Sequence, residues 1–244
     1  MSMTRIFQPS PLSLQAEVEL DAQASHHLAR VLRAKVGDPV TVFNGEGGEY
    51  HGAITRIDKK SVIVALQTFL PREAESPLTL TLAQGISRGE KMDYTIQKAV
   101  ELGVSQIVPL LTERCTVKLD AERREKRFQH WQSIVVSACE QSGRNRIPAL
   151  LAPQRLSDWL PTVQADQRFV LAPTANERLQ QFSLPKNAHV VLLIGPEGGL
   201  SPLEITQSMQ HSFSPLLLGP RILRTETAAI AALTALQCCF GDLG

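Results

Sequence analysis

Val190-Val191-Leu192-Leu193-Ile194-Gly195-Pro196-Glu197-Gly198-Gly199 is an unbroken apolar run that stops at a glycine-rich turn. A strand with one wet face alternates polar and apolar residues. One that is apolar at every position is covered on both faces, as in a parallel sheet flanked by helices. The same kind of short apolar run recurs at Leu78–Ala83, Ile107–Leu111, Phe169–Ala172 and Leu216–Leu218. Helical patterns separate them: Lys91–Leu102 closed by Gly103, Ala121–Ser142 closed by Gly143, and a last helix from Thr225. This alternation predicts an α/β domain with its ligand site at the carboxyl ends of the strands.

Towards the amino terminus the pattern changes. Leu70-Pro71-Arg72-Glu73-Ala74-Glu75-Ser76-Pro77 is polar, bracketed by prolines, and reads as a linker. Before it, Val40–Phe43 followed by Asn44-Gly45, then Tyr50–Ile57, the turn Asp58-Lys59-Lys60 and Ser61–Leu66 predict short strands of a small barrel. One helix interrupts them, with Ser25 as its expected N-cap and His27–Arg33 as its body. On a regular helix His26, Arg30 and Arg33 fall at i, i+4 and i+7, a basic stripe that is either a solvated face or a grip on phosphates.

Composition narrows the function. No apolar run approaches the ~20 residues of a membrane helix, and the start MSMTRIFQPS lacks the apolar core of a signal peptide, so a cytoplasmic protein is expected. Cys115, Cys139, Cys238 and Cys239 show no Cys-x-x-Cys spacing, so no metal site is expected. The formal net charge is +1, but residues 76–155 hold 12 Lys/Arg against 8 Asp/Glu, a basic middle compatible with RNA. Arg123, Arg124, Lys126 and Arg127, interleaved with Glu122 and Glu125, read as a solvated helix face. Arg144 and Arg146, just past a helix stop, are better placed for RNA.

Two loops carry the chemistry. Gly195–Gly199 is neither a Walker loop nor a Rossmann fingerprint, so phosphate binding is unsupported; Gly198 and Gly199 suit positive φ or close approach of a ligand. Leu218-Gly219-Pro220-Arg221-Ile222-Leu223-Arg224-Thr225-Glu226-Thr227 opens the last helix. Thr225 or Thr227 can cap it and Glu226 favours its positive end. Arg221 and Arg224 have no such reason, because cations are unfavourable there; an anionic partner is implied.

The strings LLIGPEGGLSPLE and LLLGPRILRTETAA, with SRGEKMDYTIQKAVELGV, ACEQSGRNRIP and SHHLARVLRAKVGD, resemble the ribosomal RNA small subunit methyltransferase E family. The resemblance runs in order from Arg5 to Gly244. It implies a PUA-like β-barrel over residues 1–72 that binds RNA, and a SPOUT domain over 73–244 with a deep trefoil knot, an exception to unknotted topology. It implies S-adenosylmethionine as cofactor, held by Leu171-Ala172-Pro173, by Ile194, Gly195, Pro196, Glu197, Gly198 and Gly199, and by Leu217 to Leu223, namely Leu218, Gly219, Pro220, Ile222 and Leu223 with Leu217 beside them. It implies a homodimer; the largely apolar helix Thr227–Phe240 fits burial in its interface and equally well burial in a core. The implied reaction is methylation of N3 of a uridine in 16S ribosomal RNA, free or in the small subunit. His26, Arg30, Arg33, Arg144 and Arg146 would then hold RNA.

For the chemistry two routes stay open. Glu140 or Glu226 could take the N3 proton. Alternatively Arg221 or Arg224 could stabilise charge on the uracil oxygens while water takes it. The second is favoured, since a carboxylate beside cations holds a proton weakly. A SPOUT enzyme acting on transfer RNA, an RNA-binding assembly factor without catalysis, and a nucleotide-dependent α/β enzyme are the alternatives. Saturable cofactor binding separates the second of these from an enzyme.

Overall fold

A computed structural model describes residues 3–117 and 120–244. The chain forms two compact units. One holds the chain up to Glu75 together with Cys139–Ile147; the other holds Ser76–Ala138 and Pro148–Gly244.

The first unit contains β1 (Thr4–Phe7), β2 (Glu17–Glu19), α1 (Ala22–His26), β3 (Pro39–Phe43), β4 (Glu49–Ile57) and β5 (Val62–Leu70). Their order is β1-β3-β4-β5-β2, so β1 and β2 are the edges. β1 runs parallel to β3 and the other pairs are antiparallel. Alternation decides what is inside: Val62, Val64 and Leu66 point in from β5 and meet Ile6, Val40, Val42, Ile54 and Leu28. The β4–β5 turn closes where charge and chain reversal coincide, with Asp58 N donating to Ser61 O at 2.8 Å.

The helix differs from its expected form. It starts earlier, because Asp21 is available as a cap and accepts from Ala24 N at 2.8 Å. Ser25 is therefore inside the helix and buried. Its hydroxyl donates to Leu20 O and accepts from Val62 N, both at 3.0 Å. From His27 to Val31 the turn widens to π geometry, and Arg33 ends it with φ 54°. His26, Arg30 and Arg33 are all exposed, but not as a stripe on one regular helix.

The second unit contains β6 (Thr79–Gly85), α2 (Glu90–Glu101), β7 (Gln106–Leu111), α3 (Ala121–Ser142, whose end from Cys139 groups with the first unit), β8 (Ala149–Leu150), β9 (Gln154–Arg155), α4 (Leu156–Trp159), β10 (Gln167–Leu171), β11 (His189–Ile194), α5 (Pro202–Gln210), β12 (Ser214–Leu216) and α6 (Thr225–Phe240). The sheet order is β12-β10-β11-β6-β7-β8, with β9 also on β7, and every pairing is parallel. The unbroken apolar runs have the burial they imply: Val190 to Ile194 are each 3 % exposed or less. Val191 and Leu193 join Ala83, Val108, Val170, Trp159 and Phe213 in one core. Strand bounds shift where the sheet stops: β12 ends at Leu216, leaving Leu217 and Leu218 in the following loop. Sequence reading passed over α5, although Ser201 and Glu204 form a capping box at its start, with Pro202 as its first residue. Among the described residues no helix is long and apolar enough to cross a membrane.

Candidate functional site

Three neighbouring strands, β12, β10 and β11, end on the same edge of the sheet. Their following loops, Ala172–Thr174, Gly195–Gly199 and Leu217–Leu223, wall one cleft of about 940 Å³. That volume is within the ~300–1,000 Å³ of small-molecule sites. Every residue read from the sequence as a cofactor contact, Leu171 through Leu223 in the three loops, lines this cleft. Its surface is apolar side chains and turning backbone, with few charges, as in sites that take a small organic molecule and orient it by a few polar groups.

The backbone explains why glycine recurs. A Cβ at Gly195 would stand 2.6 Å from Gly199 C and Leu200 N, so the loop closes on itself only without one. Gly199 has φ +68°, a left-handed conformation; Gly198, expected to share it, has no positive φ. A Cβ at Gly198 would instead meet Arg114 Cβ at 3.1 Å. The loop thus has a fixed shape, a cradle that fits a bound group better than a flexible connection would.

Polar contacts hold the loop from several sides. Glu197 lines the cleft, but its carboxylate accepts from Arg88 N at 3.0 Å and pairs with Lys91 Nζ at 3.5 Å. Burial pushes its proton affinity up, and these donors together overcome that and hold it below the ordinary carboxylate range. Arg114 Nη1 donates to Gly198 O at 3.1 Å and lines the cleft. Thr225 Oγ1 donates to Gly195 O at 2.7 Å and accepts from Gln84 Nε2 at 2.9 Å. Sequence reasoning missed Arg114 and Gln84. Arg114 follows the carboxyl end of β7, where the strand-end rule could have found it; Gln84 looks like any polar residue ending a strand.

At the head of α6 neither threonine caps the helix, because Thr225 is drawn to Gly195 O. Arg224 occupies the N-cap position without a side-chain capping bond. Arg221 and Arg224 are exposed, and neither is in an ion pair among the described residues. Arg221 lines the cleft. Glu226 is half-buried, and its Oε2 is buried without a hydrogen-bond partner.

The remaining residues singled out lie in the first unit. Glu140 Oε1 accepts from Phe7 N at 3.0 Å, and burial pushes its carboxyl above the ordinary range against that bond. Arg144, expected on RNA, is 3 % exposed and grips Glu75 through Nε at 3.0 Å and Nη2 at 2.5 Å; a guanidinium so enclosed is part of the fold. Arg146 is exposed, with Nε 3.8 Å from Glu73.

Comparison with known proteins adds three findings. Residues 74–237 match the family described as RNA methyltransferase domain, and residues 20–67 that described as RNA methyltransferase PUA domain. Ribosomal RNA small subunit methyltransferase E of Buchnera aphidicola subsp. Schizaphis graminum is 40% identical over 98% of this chain and 97% of its own; that of Bacillus subtilis is 31% identical over 87% and 86%. A methyltransferase of Legionella pneumophila, solved with bound SAM, matches with a TM-score of 0.96 and 43% identity over the whole of both chains. Ribosomal RNA small subunit methyltransferase E of Neisseria gonorrhoeae, bound to S-adenosyl methionine, matches at 0.92 and 36%, again over both chains.

Proposed function

This chain belongs to the ribosomal RNA small subunit methyltransferase E family, and we propose on that premise that it methylates N3 of a uridine in 16S ribosomal RNA, using S-adenosylmethionine. The observation that carries the proposal is the cleft: three loops converge at one sheet edge, Arg221 lies in its wall, and Arg224 stands in sequence between two further lining residues, Leu223 and Thr225.

The cofactor, when bound, supplies an electrophilic methyl group. Leu171, Ala172 and Pro173, the Ile194–Gly199 loop, and Leu218, Gly219, Pro220, Ile222 and Leu223 would hold it. The chain's task is then to bring the uracil nitrogen within ~3–3.5 Å of that methyl, in line with the leaving sulfur. The neutral imide is a poor nucleophile, so its proton must leave. Arg224, with Arg221, is suited to stabilise charge on the uracil oxygens: both are exposed, unpaired and unexplained by folding. Glu226 is the alternative proton acceptor, supported by its unpartnered buried oxygen. Glu140 is supported as a base only by its raised proton affinity, and its bond to Phe7 N already gives it a structural task.

RNA would be gripped through exposed His26, Arg30, Arg33 and Arg146; Arg144, 3 % exposed and paired with Glu75, supports that role least. The division into an RNA-gripping part, 1–72, and a catalytic part, 73–244, with a trefoil knot through the cleft loops, belongs to the same reading. So do a cytoplasmic location and a homodimer, supported by the partly exposed apolar side of α6 around Ile230, Ala231 and Ala235.

The test is mass analysis of 16S ribosomal RNA from cells with and without the gene. A 3-methyluridine that disappears with the gene, and returns with it, is the expected result. Unchanged RNA, together with saturable cofactor binding by the purified protein, would leave a methyltransferase of another target; absence of cofactor binding would leave an assembly factor.

A further inference from the structure

Gln84, the last residue but one of β6, pairs with Ile194, where β11 gives way to the glycine loop. It is 0 % exposed. Its Nε2 lies 2.9 Å from Thr225 Oγ1, 3.0 Å from Gly85 O and 3.3 Å from Gly195 O. Thr225 in turn donates to Gly195 O at 2.7 Å. Because that hydroxyl spends its one proton on Gly195, it must accept from Gln84, so the chain of donors has a fixed direction. Gln84 Oε1, by contrast, is buried with no partner. Burying an amide with an orphaned oxygen works against folding, and an apolar side chain of similar length would avoid it. Stability therefore gives no reason for glutamine here. The donors do: they join the start of the cofactor loop to Thr225, the first residue of α6, the helix that Arg224 precedes and that carries Glu226.

We infer that Gln84 is a positioning residue, which locks the Gly195–Gly199 loop and the head of α6 into one unit and so sets the distance between bound methyl donor and the uracil-facing Arg224. Its neighbour supports the same tailoring: a Cβ at Gly85 would stand 2.6 Å from Pro196 N and Cδ, so β6 ends with a residue that clasps the loop and one that lets it come close. The inference rests on the methyltransferase reading above. A misplacement of about 1 Å can lower a rate on the order of 10²-fold. Cofactor contacts, spread over three loops, should suffer less.

The experiment compares Gln84→Met, Gln84→Glu, Thr225→Val and Thr225→Ser with the parent, by single-turnover methyl transfer, cofactor calorimetry and thermal denaturation. Gln84→Met should transfer methyl on the order of 10²-fold more slowly, with S-adenosylmethionine Kd raised by no more than about tenfold and Tm at or above the parental value. Thr225→Val should behave alike, Thr225→Ser should stay near the parent, and the Gln84→Met/Thr225→Val double variant should be no slower than either single one, because both cut the same link. Gln84→Glu places a carboxylate against carbonyl oxygens. It should be slow at neutral pH and recover as pH falls, when its protonated oxygen can donate; Gln84→Met should show no such recovery. A Gln84→Met enzyme with parental rate overturns the inference. So does a loss of rate that follows Tm in every variant without rescue by Thr225→Ser or by acid. If Gln84→Met does not fold, the Thr225 pair and the pH profile of Gln84→Glu decide alone. A parent that neither binds the cofactor nor transfers methyl overturns both readings; a competent parent with indifferent variants overturns this one only.

Discussion

The enclosed arginine cluster of the first unit and the cleft arginines of the second are held in opposite ways. In the first, Arg5 Nη1 donates to Glu49 at 2.5 Å and its Nη2 to Asn145 at 2.6 Å, Arg72 pairs with Glu49 at 3.1 Å, and Arg144 grips Glu75. In the second, Arg114 meets only a carbonyl, and Arg221 and Arg224 have no carboxylate partner among the described residues. A buried guanidinium must have counter-charge and acceptors, or the chain does not fold. An exposed one at a helix N-terminus is there despite the local field. Paired arginines therefore report on stability and unpaired ones on what the protein binds.

The largest effect should come from the unpaired side. Arg224→Ala should lower single-turnover methyl transfer on the order of 10²–10³-fold, as for loss of one donor to a developing oxyanion. Tm and cofactor affinity should stay parental. Arg224→Lys should recover little, because a point ammonium does not reproduce the planar fork. A parental rate in a folded, cofactor-saturated Arg224→Ala enzyme would exclude Arg224 from catalysis; a fall in Tm would show that it acts in folding, as the paired arginines do.

On the paired side the readout should be stability and its pH dependence. Burial pushes Glu49 up, but Arg5 by hydrogen bond and charge, His51 and Arg72 together outweigh it and hold the carboxyl below its ordinary 4.5. Since the folded state binds the proton more weakly than the unfolded chain, the stabilisation is fully present above pH 4.5 and is lost as pH falls through the depressed folded value. Glu49→Gln leaves Arg5 largely buried without its charge partner and should cost about 3 kcal/mol, the lower end for a broken buried pair because Arg72 is half exposed. Its denaturation midpoint should also lose part of the parental acid dependence. Cofactor affinity should not change. Parental stability across pH 3–7 would show that the cluster is not what holds this unit.

The sheet was legible in the sequence because burial on both faces demands apolar residues at every position, which Val190–Ile194 displays without any knowledge of its neighbours. The strand-end rule then located the cleft before any side chain was placed. What stayed hidden depends on partners distant in sequence. Gln84 acquires its meaning from Thr225, 141 positions away, and Arg5 from Asn145, 140 away. Grouping of Cys139–Ile147 with the first unit follows from such contacts and from no local signal. Local rules also failed where two residues competed for one role. Ser25 lost the cap to Asp21 because its hydroxyl is engaged in the interior, donating to Leu20 O and accepting from Val62 N, and Thr225 left the cap of α6 for Gly195. The family resemblance supplied the cofactor and the reaction, which no pattern of burial contains.

The smallest expected effect tests whether unpaired arginines of the first unit obey the same rule. Arg30 and Arg33 are exposed, and like Arg224 they have no ion pair among the described residues. Arg33 sits at φ 54°, uncommon for a residue other than glycine, and this turns the backbone sharply after the π turn. If both meet phosphates, Arg30→Ala with Arg33→Ala should weaken RNA binding on the order of tenfold near 0.15 M salt. The slope of log affinity against log salt should become shallower by about 1.5–2, because two fewer counterions are released. S-adenosylmethionine affinity and Tm should be parental. Arg146→Ala should move the slope by about half as much. Arg144→Ala is the matched control from the paired class: it leaves Glu75 without its partner, so Tm should drop, while any folded protein should keep the parental slope. Equal slopes for the Arg30/Arg33 double variant and the parent would make those two side chains an ordinary solvated face, and would confine the rule to the cleft.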